Sequence, residues 1–320
     1  MRHGRPELVA HDCSKRRNDA VLYRLGFVHR IRYLFRISLN NKSCLESSGK
    51  SCYEVSHGPI KSASVNANGL NSPLVMSLSN DDIEFYTRLA GEAARASGEK
   101  LRKGRGTRRP PVSQIGRDIK LAEDAASEAE IASVLSRQSK FPILSEEGGW
   151  LSHAPAAGTP HWVVDPLDGS FNYFRGLPLY GVSVALCVDR QPLLGAIFAP
   201  EQDELFLGNP QLGLHLNGQR MNPRAEPGQI HATGFPAHAD LNATSARITE
   251  LAQSWKKMRM LGSAALSLAW VAAGRCDAYS ENGIMWWDVA AGLALVSAAG
   301  LRDVRCEPVS EHAVNVFVAW

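Results

Sequence analysis

Three short acidic clusters constrain the fold of this chain more than any other feature. In chain order they are Glu146-Glu147 after a short apolar run, Asp165-Pro-Leu-Asp168-Gly-Ser170 after a second apolar run, and Trp287-Asp288 at the start of an apolar segment with helical periodicity. Carboxylates that a fold brings together raise one another's pKa unless cations neutralise them. Each cluster alone also fits a solvated turn or a helix cap. Their coincidence predicts one site for several divalent cations, built from three separate elements.

The second cluster has the best-defined support. Trp162-Val163-Val164 is typical of a buried strand, which would aim Asp165 from its end. Pro166 has no N–H for a strand ladder, so the chain is expected to leave the sheet there. Asp168-Gly169-Ser170 then predicts a tight turn that offers a carboxylate, a hydroxyl and backbone amides.

The first cluster contributes fewer ligands than it has carboxylates. On an extended backbone Glu146 and Glu147 point to opposite sides, so only one of them is expected to face the site. Hard oxygen donors without clustered His or Cys favour Mg²⁺ over Zn²⁺. Such ions clamp the attacking and leaving oxygens of a phosphate displacement, so the substrate is expected to carry a phosphate.

The formal net charge of +3 averages two unlike parts of the chain. Residues 1–75 carry 12 Lys and Arg against 5 Asp and Glu, whereas residues 76–320 carry 23 against 27. We interpret residues 1–75 as a basic, poorly ordered extension, for which an upstream start codon before Met76 is one explanation. A basic amphipathic helix over residues 20–39 leaves a transit peptide or a membrane-surface segment open as alternatives. Residues 76–320 are expected to form the catalytic domain.

Composition limits the cellular compartments and the classes of partner that the chain is expected to have. No apolar stretch approaches the roughly 20 residues that a membrane helix needs, so no membrane partner is expected. The six cysteines show no CxxC spacing, which favours a reducing, cytoplasmic setting. The basic stretch over residues 102–111 is interpreted as a solvated loop, and no nucleic-acid partner is expected.

From Ser79 onward, helical and strand patterns alternate, which predicts a mixed α/β fold with layers of helices against sheets. Helices are expected over residues 79–101, 123–137, 243–254, 263–273 and 288–299, the last two stopped by Gly274 and Gly300. Strands are expected over residues 141–145, 162–165, 181–188, 193–199 and 204–207, in a hairpin around Asn217-Gly218, and over residues 277–280, 301–304 and 314–318.

In this setting the chain resembles the inositol monophosphatase family of Mg²⁺-dependent, lithium-sensitive phosphatases. The resemblance rests on Asp165-Pro-Leu-Asp-Gly-Ser-Phe-Asn172, with Glu146-Glu147 before it and Leu261-Gly-Ser-Ala264, Asp277-Ala-Tyr-Ser-Glu281 and Trp287-Asp288-Val-Ala-Ala-Gly292 after it. It runs from about Ser79 to the end of the sequence. It implies a layered α-β-α-β-α sandwich.

The resemblance also implies the site residues. The metal ligands are expected at Glu146, Asp165, the backbone carbonyl of Leu167, Asp168 and Asp288, for two or three Mg²⁺ ions. Asp124 would pair with the Ser170 hydroxyl to position and deprotonate an attacking water, so Asp124, Ser170 and Glu146 are the expected catalytic residues. The Gly169 and Ser170 amides would hold phosphate oxygens. Contacts to a polyol are expected from Gly262, Ser263, Ala264 and Glu281.

The implied reaction is direct in-line hydrolysis of a small phosphorylated polyol, without a phosphoenzyme. Inositol 1-phosphate is the leading substrate, because Glu281 would repel a second phosphate. Histidinol phosphate, fructose 1,6-bisphosphate and 3′(2′),5′-bisphosphate nucleotides remain alternatives within the enzyme class. A catalytically silent regulatory or binding protein on the same fold is the alternative outside it. The pattern leaves a homodimer open.

Some residues depart from the family pattern or fall outside it. Leu121 stands where Thr is frequent, which makes the register of Asp124 less secure, and Ser170 replaces a frequent Thr but keeps the hydroxyl. The sequence ends at Trp320 just after an apolar strand, where many relatives continue into a helix, so an exposed apolar edge or a looser core is expected. Packing roles rather than chemistry are expected for His161, Cys187, Cys276 and Trp286-Trp287.

Overall fold

The computed structural model describes residues 78–106, 110–115, 118–223, 228–236 and 239–320. The interpretation of residues 1–75, including the helix over residues 20–39, falls outside the described residues. The helices are α1 Asn80–Gly104, α2 Ala122–Gln138, α3 Ser170–Arg175, α4 Leu241–Ser254, α5 Ala264–Ala272 and α6 Trp286–Ala298.

Fifteen strands are found among the described residues. They are β1 Ser113–Ile115, β2 Asp118–Lys120, β3 Ile143–Ser145, β4 Gly149–Trp150, β5 Pro160–Asp168, β6 Gly181–Val188, β7 Gln191–Ala199, β8 Glu204–Asn209, β9 Gly213–Leu216, β10 Gln219–Arg220, β11 Ile230–Thr233, β12 Lys257–Arg259, β13 Ala278–Met285, β14 Asp303–Pro308 and β15 Ala313–Ala319. β1 and β2 form a separate two-stranded hairpin.

The larger sheet has eight strands in the order β10-β9-β8-β7-β6-β5-β3-β4. From β5 to β10 the neighbours are antiparallel, whereas β3 lies parallel to β5. Every residue of β5 and β6 is buried, because helices cover both faces of the sheet. The predicted turn at Asn217-Gly218 is present, with positive φ angles of 49° and 80° that a tight hairpin needs.

The smaller sheet has five strands in the order β12-β11-β13-β15-β14. β15 pairs with β13 on one side and with β14 on the other. The expected apolar edge next to Trp320 is therefore wrong, because the last apolar strand lies inside the sheet. The edge is β14, whose residues are all exposed and include Asp303, Arg305 and Glu307, as suits an edge in contact with water.

The helices and sheets stack in five layers. α1 and α2 cover one face of the larger sheet, and α5 and α6 fill the space between its other face and the smaller sheet, against which α4 also packs through β12. Two apolar cores result, one on each side of the larger sheet. The mixed α/β fold with α-β-α-β-α layering is confirmed.

The central layer packs closely because glycines remove side chains at two contacts. A Cβ on Gly195 of β7 would lie within 2.9 Å of the Ala291 Cα in α6. A Cβ on Gly292 of α6 would lie 3.0 Å from the Cγ of Leu268 in α5. Since real Cβ atoms do not approach so closely, α6 can touch both the larger sheet and α5 only with glycine at these positions.

The structure corrects several predicted boundaries. Pro166 does not end β5, which continues to Asp168 across an irregularity in its pairing with β6 between Asp165 and Asp168. The missing N–H of Pro166 falls within this irregularity, where the ladder is already interrupted. α1 runs into the predicted loop as far as Gly104, since basic residues suit the last turn of a helix. The short elements α3, β11 and β12 were not predicted.

Candidate metal and phosphate site

Strand register places the first two carboxylates side by side. β3 lies parallel to β5 with Ser145 opposite Val164, so the next residues along, Glu146 and Asp165, are neighbours. The Glu146 amide also donates to the Val164 carbonyl over 3.3 Å, which holds the turn after β3 against β5. Strand pairing therefore positions both residues, with Glu146 directly after β3 and Asp165 inside β5, three residues before its end.

A hydrogen bond to the neighbouring strand brings in the third carboxylate. Asp165 pairs with Ser183 of β6, and the Ser183 hydroxyl donates to the Trp287 carbonyl over 3.2 Å. This contact fixes the start of α6 beside the end of β5. Asp288, the next residue, thereby joins Glu146 and Asp165, and one carboxylate oxygen of each lies within 4.8 Å of the others.

Burial and neighbouring negative charge oppose the ionisation of Asp165 and Asp288. Burial raises the pKa of Asp165 and of Asp288 well above the ordinary aspartate value, and the charge of Glu146 raises both further. Carboxylate oxygens at this spacing are the donors that hard divalent cations such as Mg²⁺ take in proteins. The donor set therefore fits Mg²⁺.

Asp168 lies close by but points its carboxylate at α5. Its Oδ2 accepts from the Ser263 hydroxyl and, over 2.7 Å, from the Ala265 amide, while the Ala264 amide donates to Oδ1 over 3.3 Å. Burial raises the pKa of Asp168 to about 6, against the lowering effect of these bonds. Asp168 is thus not part of the three-carboxylate group. The hydrogen bonds join it to Ser263 and Ala264, two of the predicted substrate contacts.

The predicted pair of Asp124 and Ser170 is in hydrogen-bonding distance. The Ser170 hydroxyl lies 3.4 Å from Asp124 Oδ1 and 2.9 Å from the Leu167 carbonyl, to either of which it can donate. The Leu121 amide donates to Asp124 Oδ2 over 2.6 Å, which anchors the carboxylate at the start of α2. Leu121, which stands where Thr is frequent in the family, thus binds the Asp124 carboxylate through its backbone amide. Burial raises the pKa of Asp124 to about 7, where a carboxylate can exchange a proton near neutral pH.

Glycine shapes the turn between β5 and α3. Gly169 has a φ of +93°, and a Cβ there would lie 3.0 Å from the Leu179 carbonyl and 3.1 Å from the Gly262 carbonyl. Asn172 closes the same space by donating from Nδ2 to the Leu179 and Leu261 carbonyls over 2.6 and 2.8 Å. The turn that carries Gly169 and Ser170 is therefore tied to the segment that carries Gly262. Sequence reasoning gave Asn172 no role, although it belongs to the quoted motif.

Glu281 is buried within electrostatic reach of Asp168 and Asp288. Tyr279 donates from its hydroxyl to Glu281 Oε2 over 2.9 Å, and Gly234 lies so close that a Cβ would collide with the same oxygen. Burial raises the pKa of Glu281 to about 7, while the Arg247 guanidinium on α4 lowers it. Sequence reasoning missed both Tyr279 and Arg247. Arg247 comes from a helix with no motif, so only the fold brings it to the site.

Glu147 is not part of the group formed by Glu146, Asp165 and Asp288, and it forms an ion pair with Lys120. The Lys120 ammonium donates to Glu147 Oε2 over 2.8 Å, and the Glu147 side chain is only 15% exposed. The choice of Glu146 over Glu147 as the residue that faces the other carboxylates therefore agrees with the geometry. Lys120 was not predicted, because nothing in the sequence indicates which carboxylate it meets.

The remaining candidates pack as expected. His161 is buried, with its ring 5.3 Å from that of Trp150 and its Nδ1 3.1 Å from the Thr159 carbonyl. Cys187 and Cys276 are buried, and burial raises the pKa of both thiols, which opposes thiolate formation. Trp286 and Trp287 belong to the core around α6. Among the described residues no helix is both long and apolar enough to cross a membrane.

This chain is similar to known proteins both in sequence and in fold. The family profile described as "Inositol monophosphatase family" matches residues 82–319. The protein named "Nus factor SuhB" from Xylella fastidiosa is 40% identical over 191 residues, which cover 56% of this chain and 66% of that protein, just under two thirds. The protein of the same name from Escherichia coli K12 is 37% identical over 223 residues, covering 66% and 82%. The solved inositol monophosphatase structure from Anabaena is 31% identical, with a TM-score of 0.62, covering 74% of this chain and 91% of that one.

Proposed function

Because the chain belongs to the inositol monophosphatase family, we propose that it is a Mg²⁺-dependent phosphomonoesterase acting on a small phosphorylated polyol. The observation that carries the proposal is the meeting of Glu146, Asp165 and Asp288 within 4.8 Å, beside the Asp124 and Ser170 pair. These groups hold a cation site and a proton acceptor next to each other. Phosphate ester hydrolysis needs both.

Each group has a distinct role in this proposal. Glu146, Asp165, Asp288 and the Leu167 carbonyl would hold Mg²⁺, together with Asp168 once its carboxylate turns from α5. Mg²⁺ bound there would supply charge neutralisation for the phosphate and acidify a water molecule. Asp124, with a pKa raised to about 7, accepts the proton that the attacking water loses, and the Ser170 hydroxyl orients that water. The Gly169 and Ser170 amides donate to phosphate oxygens.

The leaving-group side favours a neutral polyol. Glu281 is buried and can accept hydrogen bonds from hydroxyl groups, whereas it would repel a second phosphate. The Ser263 hydroxyl and the Ala264 amide lie at the start of α5, next to Asp168. Inositol 1-phosphate is the leading substrate. Histidinol phosphate, fructose 1,6-bisphosphate and bisphosphate nucleotides are the rivals to be tested beside it.

The test is phosphate release from this panel of substrates with Mg²⁺, with and without lithium. We expect hydrolysis of inositol 1-phosphate that lithium inhibits. Asp165→Asn removes one charged group from the cation site and should lower the rate by about 1,000-fold, the upper end for the loss of one electrostatic group. Asp303→Asn, on the exposed edge strand β14, is the matched control and should leave the rate unchanged. No turnover on any sugar, polyol or nucleotide phosphate would overturn the proposal.

A second candidate function is a binding role that does not use the carboxylates. It is supported by the name "Nus factor SuhB", which relatives such as those from Xylella fastidiosa and Escherichia coli carry and which describes no hydrolysis. Under this alternative Asp165→Asn would leave partner binding unchanged. Affinity capture with wild-type and Asp165→Asn protein, followed by the hydrolysis assay on the same preparations, separates the two functions.

A further inference from the structure

Lys120 places a positive charge at the rim of the acidic site. It is the last residue of β2, and its ammonium lies 2.8 Å from Glu147 Oε2. The Lys120 side chain is 44% exposed, whereas that of Glu147 is 15% exposed. The carboxylate is therefore mostly enclosed, and it forms an ion pair with the lysine.

Two further acidic groups act on the same ammonium. The hydrogen bond to Glu147 raises the pKa of Lys120, and the charges of Glu146 and Asp124 raise it further. Conversely, Glu147 raises the pKa of Asp124 while Lys120 lowers it. Lys120 thus lies within electrostatic reach of a residue of the three-carboxylate group and of the proposed proton acceptor.

We propose that Lys120 is a positioning residue that acts as a built-in cation of this site. By holding Glu147, it keeps the second carboxylate of the Glu146-Glu147 pair from binding a divalent cation. Its own positive charge, at the rim of the site, also lowers the affinity of the site for divalent cations. The inference rests on the proposed cation site. Under it, Lys120 determines how many divalent cations that site binds and with what affinity.

A purely structural role makes a different prediction. In that role, Lys120 does no more than anchor the β1–β2 hairpin to the turn after β3. Its removal would then loosen the hairpin without strengthening cation binding. The charge role requires the opposite sign, because removing a positive charge beside carboxylates increases their affinity for cations. The sign of the change in cation affinity therefore separates the two roles.

The experiment is titration of the purified full-length chain with Mn²⁺, with free Mn²⁺ followed by electron paramagnetic resonance. We expect Lys120→Met to bind Mn²⁺ about tenfold more tightly or to bind one additional ion. Lys120→Arg keeps the charge and should match the wild type. Glu147→Gln leaves Lys120 uncompensated and should weaken binding, while the double variant Lys120→Met/Glu147→Gln should lie within about twofold of the wild type, because the pair is removed as a neutral unit.

The control is Lys100→Met, which breaks an exposed Lys–Glu pair between α1 and α2 at 3.3 Å from Glu130. It should leave Mn²⁺ binding unchanged. Unchanged or weaker Mn²⁺ binding by Lys120→Met, with an unchanged circular dichroism spectrum, would overturn the inference. Failure of the proposed function is a distinct result, because it would appear as no turnover by the wild type on the substrate panel, whereas this inference is decided by the sign of the change in Mn²⁺ affinity.

Discussion

At the scale of single residues, the Ser170 hydroxyl lies within hydrogen-bonding distance of two acceptors but can donate its proton to only one of them at a time. It has one proton and two acceptors, the Leu167 carbonyl at 2.9 Å and Asp124 Oδ1 at 3.4 Å. When it donates to one of them, its lone pairs remain available to a water molecule. Its part in the proposed reaction is to fix that water relative to Asp124.

Ser170→Ala should therefore lower the rate of hydrolysis by about 100-fold, the size expected for losing one group that assists proton transfer. Ser170→Thr keeps the hydroxyl and should retain most of the rate. Steady-state kinetics with inositol 1-phosphate measure both. Equal rates for Ser170→Ala and Ser170→Thr would show that the hydroxyl plays no part.

At the scale of elements, α6 connects the site to the central packing layer. Gly292 lies one turn after Asp288 on this helix and contacts Leu268 of α5. Gly292→Ala forces α5 and α6 apart or distorts them, and should lower the free energy of unfolding by about 1–3 kcal/mol. Because Asp288 lies on the same helix, the affinity of the Gly292→Ala variant for Mn²⁺ should fall as well.

Denaturant unfolding and Mn²⁺ titration check this expectation for α6. The control is Gly104→Ala at the end of α1, where a Cβ would meet only the Tyr173 hydroxyl at 3.3 Å. That variant should keep wild-type stability and cation affinity. An unchanged free energy of unfolding for Gly292→Ala would contradict the expectation that close packing of α5 against α6 requires glycine at this position.

β11 carries a buried histidine whose protonation opposes folding. His231 is fully buried, its Nε2 lies 2.7 Å from the Ser280 hydroxyl, and its ring packs 4.9 Å from that of Trp255. Burial lowers its pKa to about 4, and the Arg247 charge adds to this. Between pH 6.5 and 4 the unfolded chain therefore takes up a proton that the folded chain does not.

The contribution of His231 to stability should be complete above pH 6.5 and fall by up to about 3 kcal/mol as the pH drops to 4. His231→Gln removes the titration and keeps a polar side chain near Ser280. Urea unfolding at several pH values should give a flatter profile for this variant between pH 6.5 and 4. Parallel profiles for the two proteins would refute the assignment.

At the scale of the whole molecule, protons and cations compete for the same carboxylates. Burial raises the pKa of Asp165 and Asp288 well above the ordinary value, that of Asp168 to about 6, and that of Asp124 and Glu281 to about 7. A folded pKa above the unfolded one stabilises the protein at low pH, and this stabilisation is lost as the pH rises through the folded pKa.

Without divalent cations, these five groups should therefore destabilise the folded chain at pH 8 relative to pH 5. Mg²⁺ relieves the charge only when the carboxylates are ionised, so the rise in Tm on adding Mg²⁺ to protein in EDTA should be larger at pH 8 than at pH 5. Scanning fluorimetry measures the four conditions. The histidine effect is present with and without Mg²⁺ and cancels in the difference. Equal Mg²⁺ shifts at the two pH values would contradict the competition.

The elements predicted correctly from the sequence are those that a local residue pattern determines. β6 was predicted at both its ends, since a run of apolar residues between turn residues has few other interpretations. The strand that contains Asp165 was also predicted, but its predicted end at Asp165 was wrong, because β5 continues to Asp168. Pro166 was given too much weight, since its effect depends on whether the partner strand needs that N–H. β11 and β12 were missed because four and three residues are too few for a periodicity.

Long-range contacts explain what was missed at the site. The family motif indicated the carboxylates, but the hydrogen bonds that turn Asp168 toward Ser263 join residues far apart in the chain. The same holds for Lys120 and Glu147, which no local pattern connects. Arg247 reaches Glu281 only because α4 packs beside the smaller sheet. Such contacts follow from the fold and not from any window of sequence.

The hydrogen bond from Ser183 to the Trp287 carbonyl also bears on the order of folding. The three clustered carboxylates lie at positions 146, 165 and 288, and this bond brings the last of them to the other two. Contacts between residues so far apart in sequence form slowly, after local ones. The ability to bind a cation should therefore arise only when α6 docks on the larger sheet, so that uptake of Mn²⁺ during refolding should report the docking of this helix.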